Sequence, residues 1–225
     1  MGFTSSNNHD TNLPDKEFQL EKSIMNAQGK PNKHVERSAR MRERILTATL
    51  DCIYENGFQK ASTTEIVKRA GVSRGAMLHH YPAKELLIAS AIEKLLEDEI
   101  KDIRKRAVAY ADGQQTIDDF VDYLWSRFSG RLFMITIDFL SSARTDEKLR
   151  GAVIPVSLNF HDSLNEIWLQ FFKNNRKSPD QVRILLNTTL CLMRGMGAQT
   201  IIREDEEYFN EIGDNWKLLL HSLLD

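Results

Sequence analysis

Ser62-Thr63-Thr64-Glu65-Ile66-Val67-Lys68-Arg69-Ala70-Gly71-Val72-Ser73-Arg74-Gly75 reads as two short helices joined by a glycine-centred turn. Ser62 and Glu65 stand at capping-box spacing: the Ser hydroxyl is placed to accept from the Glu65 amide, and the Glu carboxylate to accept in return from the Ser62 amide. Ile66 and Ala70 lie four apart and share a helix face. Gly71 permits the left-handed backbone that ends the first helix, Val72 gives the turn an apolar anchor, and Ser73 can cap the second helix. The stretch is a predicted helix-turn-helix, an element whose second helix enters the major groove of DNA.

Around this element, 225 residues with 41% hydrophobic and 28% charged content suit a soluble globular chain of one domain or two small ones. No apolar run approaches the roughly 20 residues that cross a bilayer, and the N-terminus lacks the pattern of a secretory signal. A cytoplasmic protein without membrane contact is expected. Cys52 and Cys191 both fall in apolar helical patterns and are expected to be buried thiols rather than a disulfide. The net charge of −2 is unevenly spread. From Lys33 to Glu85, ten Lys or Arg face six Asp or Glu, a surplus of four, so the remainder carries a deficit of six. A basic head on an acidic body is what a phosphate-binding module joined to a different domain would show.

Residues 1–35 are polar, with Pro14 and Pro31 and little apolar periodicity, and are expected to form a disordered arm. Its basic end, running from Lys30 through Arg40 to Arg44, could reach phosphate or a minor groove; a solvated tail explains the part before Lys33 equally well. Beyond the arm the pattern is helical almost throughout. Ile45, Ala48 or Thr49, and Cys52 or Ile53 recur at helix spacing until Gly57, and a further helix opens at Tyr81-Pro82-Ala83-Lys84-Glu85 and runs to about Tyr110. The body adds stripes at Ile117, Phe120, Val121, Leu124 and Phe128, at Leu132 to Leu140, and at Phe160, Leu164, Ile167 or Trp168, and Phe171. Ser178-Pro179-Asp180 is a strong helix start, and Tyr208, Ile212, Trp216, Leu219 and Leu223 mark the last helix. No strict alternation argues for a sheet. The expected fold is all-α with about nine helices: an arm (1–35), a three-helix helix-turn-helix head (36–83) and a helical body (84–225).

Gly57-Phe58, the run from Ser62 to Ser73, and Gly75-Ala76-Met77-Leu78-His79-His80-Tyr81-Pro82-Ala83-Lys84-Glu85-Leu86-Leu87 closely resemble the DNA-binding domain of the TetR (tetracycline-repressor) family. The resemblance covers about residues 40 to 88; the rest matches in length and helical character only. It implies that Ser62 and Thr63 begin helix 2, where hydroxyls and free amides can hold a phosphate, although both fit a purely capping role too. Thr64 takes a position that often faces bases. Arg74 and Gly75 open the recognition helix: Arg74 can donate twice to a guanine, and Gly75 allows close approach. Ala76 and Leu78 offer small and apolar surface to thymine methyls or sugar, and His80 and Lys84 would clamp flanking phosphates. Leu78 stands where many relatives have Tyr, so a hydroxyl contact is missing, for which His79 is placed to compensate. Lys68 and Arg69 fit a solvated face as readily as a phosphate contact.

The same resemblance implies double-stranded operator DNA as a partner and a homodimer through the last two helices, about residues 180–203 and 207–224. Gly195 and Gly197 interrupt an apolar helical stretch, at about 1 kcal/mol each relative to Ala, which the close approach of a facing helix would justify and a local break would explain as well. Two recognition helices then reach successive major grooves about 34–36 Å apart, so the operator should be a near-palindrome. Relatives are commonly repressors released by a small molecule bound in the body. Trp125, Phe128, Met134, Asp138, Phe160, His161 and Trp168 are candidate lining for an effector that is at least partly apolar. Core packing, or a salt bridge from Asp138 to Arg131 or Arg144, accounts for the same residues. Control by a protein partner, or activation, stays open.

No catalytic constellation is present: there is no phosphate-binding glycine loop, no His-Glu-x-x-His pair and no nucleophile elbow, and His161-Asp162 lacks a nucleophile. Adjacent His79 and His80 point apart on a helix, without Cys or acidic partners at ligand spacing, so neither metal nor cofactor is expected.

Overall fold

The computed structural model describes residues 33–172 and 177–224. Among the described residues there are nine helices and no strand: α1 (Lys33–Asn56), α2 (Thr63–Ala70), α3 (Arg74–His80), α4 (Lys84–Ala111), α5 (Ile117–Phe128), α6 (Arg131–Ala143), α7 (Glu147–Phe171), α8 (Pro179–Gln199) and α9 (Glu206–Leu224). The all-α reading holds. Residues 1–32 of the expected arm lie outside the described residues, and α1 already begins at Lys33.

The chain divides into two compact units, residues 1–40 and residues 41–225. In the first, the described part is the opening of α1, where Arg40 pairs with Glu36 one turn earlier at 3.1 Å. All the packing described below belongs to the second.

Two apolar clusters build that unit. The first combines Ile45, Cys52 and Ile53 of α1, Ile66 and Ala70 of α2, Met77 of α3 and Leu87 to Ile92 of α4 with Ile135 and Phe139 of α6 and Leu149 and Val153 of α7. The second gathers α5, the end of α7, α8 and α9 around Trp168, Phe120, Leu186 and Met193. Phe160 packs against both. The longest helix pairing is α4 along α7. Pro155 lies inside α7 and withdraws one donor from its hydrogen-bond ladder.

Local sequence explains the helix ends. Ser178 Oγ accepts from Gln181 N at 3.3 Å and Gln181 Oε1 accepts from Ser178 N at 2.9 Å, a complete capping box with Pro179 at the first helical position. Thr116 and Asp119 form another at the start of α5. Thr189, buried in α8, donates to Leu185 O at 2.8 Å and accepts from Trp216 Nε1 at 3.1 Å, locking α9 onto α8.

One expectation needs correction. Cys52 is buried but Cys191 is exposed, because the apolar pattern of α8 is carried inward by Leu190 and Met193 on the opposite side of the helix. Leu219 and Leu223 are also exposed; α9 buries Phe209 and Leu220 instead, with Tyr208, Ile212 and Trp216 packed beside them.

Candidate nucleic-acid interface and interior cavity

The α2–α3 corner is built as its residues dictate. Ser62 caps α2, accepting from Glu65 N at 3.2 Å. The reciprocal half of the expected capping box does not form, because Ser62 N already donates to Lys60 O at 2.8 Å. Gly71 is left-handed (φ 61°, ψ 42°), and Val72 N closes the turn onto Val67 O at 3.1 Å. Ser73 then caps α3, accepting from Ala76 N at 3.1 Å. Two arginines fix the corner to α1. Arg44 Nη2 donates to the carbonyls of Ala70 and Gly71 at the end of α2, and Arg69 grips Glu55 with two bonds. That hydrogen-bonded guanidinium holds the Glu55 carboxyl below the usual carboxylate range. The sequence places Arg44 on a basic arm and leaves Arg69 between a solvated face and a phosphate contact; neither helical spacing nor charge reveals a partner 26 or 14 residues away.

The anchored corner buries Met77 and turns the other side of α3 outward. Arg74, Gly75, Leu78 and His79 are exposed, Ala76 and His80 half-buried, and α3 has no acidic residue in its first turn. A Cβ built on Gly75 meets nothing nearer than 4.0 Å, so bare backbone faces out. Leu78 is 42% exposed, an apolar side chain left in water on an otherwise polar face. On α2, Ser62 and Thr64 are exposed and Thr63 is half-buried. Lys84 opens α4 with its ammonium 5.4 Å from the Phe58 ring centre. Burial, then the charges of His79 and Arg42, lower the pKa of His80. Arg42 of α1 therefore faces the end of α3, a neighbour that spacing along the chain did not suggest. Arg40 belongs to the separate N-terminal unit.

A cavity of about 260 Å³ opens between α4, α5, α6, α7 and α8. Of the residues expected to line it, Phe128, Phe160 and His161 do. Trp125 instead borders a separate cleft with Asp122, Asp214 and Lys217. Trp168 is committed to the core, its Nε1 donating to Val182 O at 2.7 Å. Met134, although on α6, is not part of the cavity wall. Asp138 forms neither expected salt bridge: its Oδ2 accepts from Phe58 N at 2.9 Å, across the turn that follows α1. One helical face earlier, Arg131 reaches Asp51 at 2.5 Å and its guanidinium lies 5.5 Å from the Tyr54 ring centre. In the cavity wall, Glu99 is only 3% exposed; it accepts from Tyr123 Oη at 2.9 Å and from Arg127 Nε at 2.6 Å.

An outward, acid-free helix held by a capped glycine turn is the reading element of a helix-turn-helix DNA-binding protein. Residues 45–91 match the family described as bacterial regulatory proteins, tetR family. Over 177 residues, 79% of this chain and 87% of the relative, the sequence is 24% identical to the HTH-type transcriptional regulator CymR of Pseudomonas putida. A TetR-family transcriptional regulator from Mesorhizobium loti MAFF303099 shares the fold with a TM-score of 0.67 at 16% identity, over 84% of this chain and 96% of that one. The multidrug binding protein EbrR, solved with ethidium, shares it with a TM-score of 0.55 at 18% identity, over 78% and 97% of the two chains. The head over residues 45–91 is that of the TetR family, and the chain is similar to HTH-type transcriptional regulators over most of its length. Among the described residues no helix is long and apolar enough to cross a membrane.

Proposed function

We propose that the protein is a homodimeric cytoplasmic repressor that holds a near-palindromic operator through α3 and is released when a small molecule enters the cavity. The observation that carries this reading is the double duty of α6. Leu132, Phe133, Thr136, Phe139 and Leu140 line the cavity, while Arg131 and Asp138 of the same helix hold Asp51 and Phe58 at the end of α1. The cavity's Leu96, Glu99 and Ile103 sit on α4, which starts directly after the recognition helix. A ligand that prefers one placement of α6 and α4 shifts the population of head positions by its differential binding energy, about 1–3 kcal/mol in coupled systems. That EbrR has this fold and holds ethidium supports the ligand-responsive part.

On the head, Ser62, Thr63 and Lys84 are assigned to phosphates, with His80 as a neutral donor, and Thr64, Arg74, Gly75, Ala76, Leu78 and His79 to the groove. Operator candidates are inverted repeats upstream of the protein's own gene, tested as labelled duplexes by fluorescence anisotropy. Arg74→Ala is expected to weaken the cognate duplex by about 1–3 kcal/mol and leave random DNA nearly unchanged. Lys84→Ala should weaken every duplex and flatten the salt dependence by about one phosphate. Equal losses of Arg74→Ala on cognate and random DNA would remove Arg74 from base reading.

The dimer rests on apolar surface that the last two helices leave in water. On α8, Ile184, Thr188, Cys191 and Gly195 follow one another at four-, three- and four-residue steps, all exposed. On α9, Leu218, Leu219 and Leu223 are exposed. Such a surface on helices is what a facing pair would cover. Sedimentation should give twice the 25.9 kDa chain mass, and the double variant Ile184→Glu/Leu219→Glu the single mass. A wild-type monomer at micromolar concentration would rule the assembly out.

A further inference from the structure

The cavity's charges do not balance. Its wall carries three ionised side chains, Glu99, Arg127 and Arg194. Glu99 and Arg127 neutralise each other through their 2.6 Å contact, with the Tyr123 hydroxyl completing the carboxylate's shell. Arg194, projecting from α8, has no carboxylate within 4.0 Å among the described residues. Its neighbours are the Phe128 ring, whose centre lies 5.9 Å away, and the Cys191 thiol. Burial pulls the Arg194 pKa below its ordinary value, the mark of a cation short of compensation. His161, across the same cavity, is kept from supplying further charge by burial and then by the Arg194 charge, both of which lower its pKa. The Asp162 carboxylate works against this shift, but its side chain is exposed. The cavity wall of Phe, Leu and Ile therefore carries one cation with no carboxylate partner among the described residues. Arg194 is half-buried, and charges drawn partly out of water are ordinarily paired; a guanidinium takes a carboxylate with two parallel hydrogen bonds.

We propose that the cavity takes a small organic carboxylate, with its charged end on the Arg194 guanidinium and its apolar body among Phe128, Phe133, Phe139 and Phe160. His161 is placed to add a neutral hydrogen bond to the same head group. The assignment rests on the reading of this cavity as the effector site. It adds the sign of the ligand's charge and the residue that selects it. At about 260 Å³ the space lies just below the usual ligand range of about 300–1,000 Å³, which favours a compact acid over a long-chain one.

The test uses the full-length protein without DNA, titrated calorimetrically with 2-naphthoate and with its uncharged counterpart 2-naphthamide. Wild type should bind naphthoate about ten- to a hundredfold more tightly, the usual value of a charge-assisted hydrogen bond over a neutral one. Arg194→Gln should bring the two affinities together by weakening naphthoate alone, and Arg194→Lys should keep part of the preference. A matching thermal unfolding midpoint for the variants shows that the fold is intact. Equal affinity of both compounds for wild type, binding of neither, or a preference that survives in Arg194→Gln overturns the proposal. So does loss of the dimer in Arg194→Gln with the preference unchanged, which would assign the guanidinium to the subunit contact. If naphthoate binds with the expected preference yet leaves an operator complex intact, the carboxylate site stands and release by this ligand fails.

Discussion

Trp168→Ala is expected to lower the unfolding free energy by about 3–5 kcal/mol, the usual cost of emptying a tryptophan-sized space in a packed core. The side chain is 2% exposed, its ring centre lies 4.7 Å from that of Phe172 and 5.2 Å from that of Phe120, and its Nε1 donates to Val182 O at 2.7 Å. It thus joins α5, α7 and α8 at one point, so the space cannot close without moving three helices. Urea unfolding should show the midpoint moving down at an unchanged slope, and thermal unfolding a drop of about 6–20 °C for a chain of this size. Trp168→Phe should cost less, since it keeps most of the volume. A Trp168→Ala variant with wild-type stability and altered ligand response would instead return this residue to a cavity wall.

Gly197→Val should be nearly as damaging, for the opposite reason. A Cβ at position 197 would lie 2.2 Å from the Phe128 carbonyl oxygen and 2.9 Å from Phe133 Cδ1. The first is backbone and cannot rotate aside, so α8 must move away from the α5–α6 junction. Overpacking of this kind costs about 1–3 kcal/mol, and more where the obstacle is rigid. Gly195, two residues earlier, has nothing of its own chain within 4 Å of its would-be Cβ, so Gly195→Ala should leave the fold of the subunit intact and mildly favour its helix. Equal thermal midpoints for wild type and Gly197→Val would show that the close crossing is not a constraint.

These two glycines illustrate what could be read from the chain alone. Their cost in a helix was visible, with close approach and a local break explaining it equally well, but not that one meets a neighbouring element of the same chain while the other points away from its own chain. The helix-turn-helix was legible because its information is local: Ser62, Gly71 and Ser73 act within four residues of themselves. Outward placement of Arg74, Gly75 and Leu78 followed from the burial of Met77 at helical spacing. The start of α7 was not legible, since Pro155 reads as a break although the helix runs through it from Glu147. Nor were Arg44 on α2's last carbonyls or Asp138 on Phe58 N, partners that lie 26 and 80 residues apart. Aromatic periodicity marked Phe128, Phe160 and Trp168 alike, because an apolar stripe looks the same whether it faces a packed core or a hollow. Arg194 carried a better signal, as a charged residue inside an apolar helical stretch, whereas Glu99 is hidden among Glu97, Asp98, Lys101 and Asp102.

One helix thus has three surfaces with three different neighbours. Leu190 and Arg194 of α8 look into the cavity, Gly197 rides against Phe128, and Ile184, Cys191 and Gly195 look outward. If the outward row is where two copies meet, occupancy and association obey a single mass-action cycle. Whatever factor separates the affinities of monomer and dimer for a molecule in the cavity, each such molecule bound changes the association constant by that same factor. Where the two affinities differ, protein abundance becomes an input to cavity occupancy alongside the concentration of the small molecule.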